Sequence, residues 1–183
     1  MKKVVLSALC VVMCMLCVQA QETEKQEEGF VFTTIKENPI TSVKNQNRSS
    51  TCWSFSGLGF LESELIRMGK GEYDLAEMFL VHHTMMDRAE MYVRLHAEGS
   101  FSPGGSFYDL IHCLKHYGIV PQEAMQGIMY GDTLPVHNEL DAVAGAYVDA
   151  IAKGNHKKLT PVWKDGLRAI YDTYLGVCPE KFT

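Results

Sequence analysis

A chain of 183 residues with ordinary apolar content holds enough material for one domain with a sizeable core. Its formal net charge is −5, and its Lys and Arg residues are scattered. That excludes the basic face a nucleic-acid partner needs and the basic cluster that would seek an anionic membrane.

Lys2 and Lys3 open the chain with positive charge, Val4 to Val18 is almost entirely apolar, and Val18-Gln19-Ala20 closes the run. This layout predicts a secretory signal peptide over residues 1–20, cleaved after Ala20, and hence a periplasmic or secreted protein. The apolar run is short of the roughly 20 residues a membrane span needs, so no stable span is expected after cleavage. Met15 and Leu16 precede Cys17 where a lipidation site wants small residues. Removing the leader takes Cys10, Cys14 and Cys17 with it and leaves Cys52, Cys113 and Cys178. Three is odd, so at least one thiol stays free or pairs between chains. Cys113 and Cys178 could pair, and a free thiol in an exported protein needs a reason.

Residues 21–38 form a second region. Gln21 to Glu28 is polar and acidic, a flexible lead-in. Gly29 to Ile35 alternates weakly, as a short strand would, and Asn38-Pro39 breaks it. From residue 39 to 183 the pattern is helical. Cys52 to Met68 places Phe55, Leu58, Leu61, Leu65 and Met68 at helical spacing, with the capping types Ser49, Ser50 and Thr51 ahead of it and Gly69 and Gly71 behind. Gly57 and Gly59 would each weaken an isolated helix by about 1 kcal/mol, so close packing against a neighbour is expected there. Leu75 to His96 predicts a longer second helix, Ser106 to Tyr117 a third closed by Gly118, and Asn138 to Lys153 and Pro161 to Leu175 a fourth and fifth.

Chemistry concentrates between Val43 and Phe55. Cys52 falls at the predicted first turn of a helix, where unpaired N–H groups and the helix dipole favour an anion, and a thiolate is the attacking form of cysteine. Gln46, six residues earlier, carries a neutral amide donor. With a backbone N–H near Cys52 it could hold the oxyanion formed when a carbonyl is attacked.

The run Asn45-Gln46 … Cys52-Trp53-Ser54-Phe55 resembles the active-site segment of papain-like cysteine peptidases. The glycine and second cysteine usual between Gln and nucleophile are replaced by Asn47-Arg48-Ser49-Ser50-Thr51, which is closer to the bleomycin hydrolase and aminopeptidase C branch. Leu75-Ala76-Glu77 is similar to the start of the family's second helix. Gly104-Gly105, then Leu110, Leu114 and Tyr117-Gly118-Ile119-Val120-Pro121, are similar to its Gly-Gly loop, third helix and exit. The likeness covers Ile40 to Pro121; residues 122–183 read as a helical insertion. The resemblance implies an α+β papain-like fold of which this chain is mainly the helical half. It implies Cys52 and Gln46 as catalytic residues, Gly104, Gly105 and Trp53 as substrate-binding, and no cofactor or metal. A peptide is the expected partner, with a homo-oligomer possible by resemblance only. Trp53 is expected in the core and along the cleft wall.

The family's catalytic histidine and asparagine come from a strand-rich half. None of the seven histidines here stands in that context, so the expectation is a fragment that lacks its general base and does not turn over by itself. The alternative is a non-catalytic peptide-binding module on the same fold. A metal site is the other rival. His112 and His116 share a helix face, but no nearby carboxylate completes a set, and His82 and His83 are expected to point about 100° apart.

Overall fold

The computed structural model describes residues 29–180. The expected signal peptide and the acidic lead-in from Gln21 to Glu28 lie outside these residues. The chain divides between Glu37 and Asn38. Residues 29–37 are extended and exposed, with the Phe30 and Phe32 rings 6.2 Å apart. Residues 29–35 carry no strand: weak alternation is present, but among the described residues no second strand supplies the ladder of hydrogen bonds that defines one.

Residues 38–180 are built from five α-helices: α1 (Cys52–Arg67), α2 (Glu77–Arg94), α3 (Phe107–His116), α4 (Asn138–Lys153) and α5 (Val162–Leu175). A short 3-10 turn spans Gln122–Ala124. Among the described residues the only extended pairings are two isolated bridges, Arg48 with Val136 and Leu75 with Pro121.

Helix α2 is shared by two three-helix groups. It packs with α1 and α3 on one side of the sequence and with α4 and α5 on the other. Its buried residues Met78, Phe79, Leu80, Val81, Met85, Ala89 and Val93 cover more than one stripe, as a helix enclosed by neighbours requires. Leu58 and Leu110 close the first group, and Leu140, Val148, Leu167, Tyr171 and Leu175 the second.

The ends of the helices show which local signals prevail. At α3, the Ser106 N–H donates to Asp109 Oδ2 at 2.7 Å, a carboxylate cap in the first turn. At α1, Thr51 occupies the N-cap position but its hydroxyl does not cap. It is spent on Ser49 Oγ, 2.5 Å away in a buried pair. Gly69 and Gly118 follow α1 and α3 at φ +68° and +83°, the left-handed turn expected of them. Gly57 is the close approach anticipated: a Cβ there would stand 2.9 Å from Leu110 Cδ2. Gly59 is not; its Cβ would meet nothing within 4 Å, because it faces a groove.

Candidate active site

The segment leading into α1 is folded tightly and held from a distance. The Ser49 N–H donates to Gln46 O at 3.2 Å, and Asn47 and Ser50 take φ of +46° and +58°, conformations that cost a non-glycine residue about 1 kcal/mol or more. Residues before α4 hold this path. Arg48 N–H donates to Pro135 O and His137 N–H to Arg48 O, both at 3.1 Å, and Asn47 Nδ2 donates to Pro135 O at 3.2 Å. His137 is buried and its ring meets the Ser49 backbone; burial lowers its pKa to about 4 despite that bond. Helix spacing alone carries no sign of this brace, which joins residues almost ninety positions apart.

Cys52 is the first residue of α1 and is exposed. The Ser54 N–H turns back to Thr51 O at 2.9 Å, which leaves the N–H groups of Cys52 and Trp53 at the open end of the helix. Cys52 opens onto a groove of about 380 Å³ also lined by Ile40, Thr41, Gln46, Phe55 and Glu62. Gln46 Oε1 is the buried end of its amide and has no hydrogen-bond partner. The nucleophile and the amide predicted to act together therefore border one open space. Cys113 is buried and Cys178 half-buried, and burial pushes each thiol up to about 12; among the cysteines of the described residues, Cys52 is the exposed one.

A charged cluster forms the groove's inner wall. Lys44 Nζ lies 2.7 Å from Glu77 Oε1, 2.5 Å from Asp74 Oδ1 and 3.5 Å from Glu62 Oε1, and donates to Leu75 O at 3.0 Å. Glu62 is almost wholly buried. It also accepts from the Leu75 N–H at 2.8 Å and from the Thr41 hydroxyl at 2.5 Å. Burial, the largest influence on Lys44, disfavours its charge, but bonds to Asp74 and Glu77 outweigh it and hold its pKa above the ordinary value. Burial and the nearby Glu62 charge raise Glu77 more than Lys44 lowers it. One ammonium thus ties residues 41–44 to α1 and to the start of α2.

Gly104 and Gly105 are exposed but do not line this groove. They reach the nucleophile segment through Trp53. A Cβ on Gly105 would stand 2.7 Å from three atoms of the Trp53 ring, whose Nε1 donates to Pro103 O at 3.0 Å. Trp53 is buried, so it supports the Gly-Gly turn from beneath and offers no cleft wall. Arg88 on α2, which the sequence did not single out, donates to Ser102 O at 2.7 Å and to Gly104 O, and pairs with Asp109 at 2.9 Å. The Gly104 carbonyl is thereby engaged by the Arg88 guanidinium.

Among the described residues, no histidine lines the Cys52 groove. The His112 and His116 rings lie 4.3 Å apart between centroids, tilted 38° to each other, on one face of α3, as their spacing implies, and Asp87 from α2 comes within 3.3 Å of His112 Nε2, a carboxylate not visible in local spacing. For His82 and His83 the expectation of divergent rings needs correction. One ring nitrogen of each and the Cys178 Sγ lie within 4.8 Å of one another. The two Cβ directions do diverge, but the rings lean toward a third group delivered from beyond α5.

No family model matches the chain. Over 86 residues it is 34% identical to the viral cathepsin of Mamestra configurata nucleopolyhedrovirus, covering 47% of this chain and 22% of that protein. Over 126 residues it is 20% identical to cysteine proteinase 1, mitochondrial, of Saccharomyces cerevisiae, covering 60% of this chain and 26% of that protein. The chain thus spans about a quarter of the length of these curated relatives. Weak and partial as they are, these likenesses support kinship with the papain-like cysteine peptidases at the family level.

Proposed function

We propose that this chain carries the nucleophile half of a papain-like cysteine peptidase of α+β fold, acting on peptide amides after export. One observation carries the reading: Cys52 stands exposed at the open end of α1 on the same groove as Gln46. In the proposed reaction the Cys52 thiolate forms a bond to the scissile carbonyl carbon, and the carbonyl electrons move onto oxygen. The Gln46 amide and the open N–H groups of α1 stabilise that oxyanion; losing one such donor typically costs about 100- to 1000-fold in turnover. Gly105 pairs with the substrate backbone, seated on Trp53 and steadied by Arg88. Collapse of the intermediate expels the amine, which needs a proton from an imidazole.

That imidazole is proposed to come from outside the described residues, since no histidine among them borders the groove. The same observation favours the second reading, a peptide-binding module without turnover. Labelling with a peptidyl epoxide or vinyl sulfone separates them. Labelling at Cys52 faster than a free-thiol control, abolished in Cys52→Ala and slowed in Gln46→Ala, supports the peptidase reading. Labelling at the control rate overturns it. Aminopeptidase specificity, also proposed, requires a trap with a free amino end to label faster than its N-acetylated counterpart.

A further inference from the structure

A second constellation lies away from the Cys52 groove, between α2 and the turn that follows α5. Helix α5 ends at Leu175, and Gly176 at φ +90° turns the chain back. The Cys178 Sγ arrives 3.3 Å from His83 Nε2, across a separation of 95 positions. Asp172 anchors the turn by accepting the Cys178 N–H at 3.4 Å, and the same Oδ1 lies 3.1 Å from His82 Nε2. His82 Nδ1 is buried with no partner. The plane of His83 is set by Tyr117, whose ring stacks on it at 4.0 Å and 12°, with the Tyr117 hydroxyl bonded to Asp87 at 2.6 Å. His82, His83, Tyr117 and Cys178 border a cavity of about 290 Å³ that also receives Asp87, Glu90, Lys164 and Arg168.

We propose that His82, His83 and Cys178 bind a zinc-class divalent ion, with Asp172 orienting His82 from behind. Three lines of geometry support it. Two imidazoles and a thiol are a donor set that suits zinc, and they lie within 4.8 Å of one another before any ion draws them in. In a tetrahedral zinc site, bonds of about 2.0 Å to nitrogen and 2.3 Å to sulfur place those two atoms about 3.5 Å apart; here they are 3.3 Å apart. The carboxylate on one nitrogen of His82, with the other nitrogen unpartnered, is the pattern in which an outer carboxylate fixes a metal-binding imidazole. The donor set also suits the ion's charge: a thiolate and the Asp172 carboxylate match a dication. Binding forms a metal–sulfur bond and releases the Cys178 proton to solvent, with no change of oxidation state. A fourth position remains for water. The competing account is a lone S–H···N bond that merely fastens the turn.

Cobalt(II) distinguishes the two, because a thiolate ligand gives it a charge-transfer band. Reduced, chelator-treated protein titrated with Co²⁺ alone is expected to bind one ion per chain with that band, and Zn²⁺ is expected to displace it, following the usual affinity order. Cys178→Ser should abolish the band, while Cys52→Ser and Cys113→Ser retain it. Asp172→Asn should weaken binding about 10- to 100-fold. Absence of the band in the unsubstituted protein overturns the proposal whether or not any variant folds. So does its persistence in Cys178→Ser or in His83→Gln, or recovery of the reduced-then-reoxidised protein with Cys178 disulfide-bonded to Cys113. None of these outcomes depends on Cys52, so the peptidase reading stands or falls separately.

Discussion

At the residue scale, Gly105 shows how one missing methyl group shapes a site. The Trp53 ring below it is buried and held by the bond to Pro103, so it cannot retreat from a Cβ 2.7 Å away. Gly105→Ala is therefore expected to cost about 1–3 kcal/mol in urea unfolding, as overpacking does, and to slow peptidyl-trap labelling of Cys52. Gly104→Ala, with nothing within 4 Å of its Cβ, should cost far less. His137 makes a different prediction. Burial lowers its folded pKa to about 4 from the model-compound value of 6.5, so the unfolded chain binds the extra proton between those values. Its contribution is present above pH 6.5 and is lost as pH falls toward 4. Neighbouring Asp141, raised to about 6 by burial, acts in the opposite sense over much of that window. The His137 effect is thus best read in Asp141→Asn. There, urea midpoints should fall on acidification through this range, and the fall should shrink when His137→Asn is added. An unchanged pH slope would contradict the buried neutral ring. The residues with recognisable chemistry, Cys52 and Gln46, were legible because a motif carries them in a short span. His137 and Arg88 were not, because their role lies in contacts with backbone far away in sequence.

At the scale of elements, helix positions were legible and their ends less so. Apolar residues three and four apart located all five helices, and α4 has the bounds expected from Asn138 to Lys153. The second helix was drawn too long. Leu75 and Ala76 instead pair with the strand-like exit from α3, through the Ala76 N–H to Val120 O at 3.0 Å and the Gln122 N–H to Asp74 O at 2.8 Å. Those bonds claim the backbone groups a longer helix would need. The weakly alternating run at 29–35 has no partner strand among the described residues, a fact periodicity cannot contain. Lys44 decides how these elements meet. It is the cation between buried Glu62 and Glu77, and it joins the groove-lining segment to α1 and α2. Removing one partner of a buried ion pair typically costs about 3–5 kcal/mol; the upper half of that range is not expected here, since Lys44 keeps some exposure to water. Lys44→Met should thus lower urea stability by about 3 kcal/mol, and the further change Glu77→Gln should recover part of it. A loss confined to a few tenths would mean that water, not Lys44, satisfies those carboxylates.

For the molecule as a whole, the shared helix α2 sets how damage travels. Its neighbours in the second group, α4 and α5, contribute no residue to the Cys52 groove, yet residues 135–137 brace the loop before Cys52. If the two groups unfolded independently, a cavity under α5 would leave Cys52 untouched. The burial of α2 on several faces argues otherwise, because the consecutive residues Phe79, Leu80 and Val81 are all buried, and residues about 100° apart around a helix need cover from more than one side. Leu167 is fully buried on α5. Leu167→Ala should cost about 2–5 kcal/mol through the cavity it leaves. The whole of that loss should appear at the distant thiol: urea transitions followed by helical circular dichroism and by the reagent accessibility of Thr51 and Trp53's neighbour Cys52 should shift together. Two separated transitions, with the groove intact after α5 has melted, would show that α2 does not couple the two groups and that the brace at His137 is dispensable for holding the nucleophile.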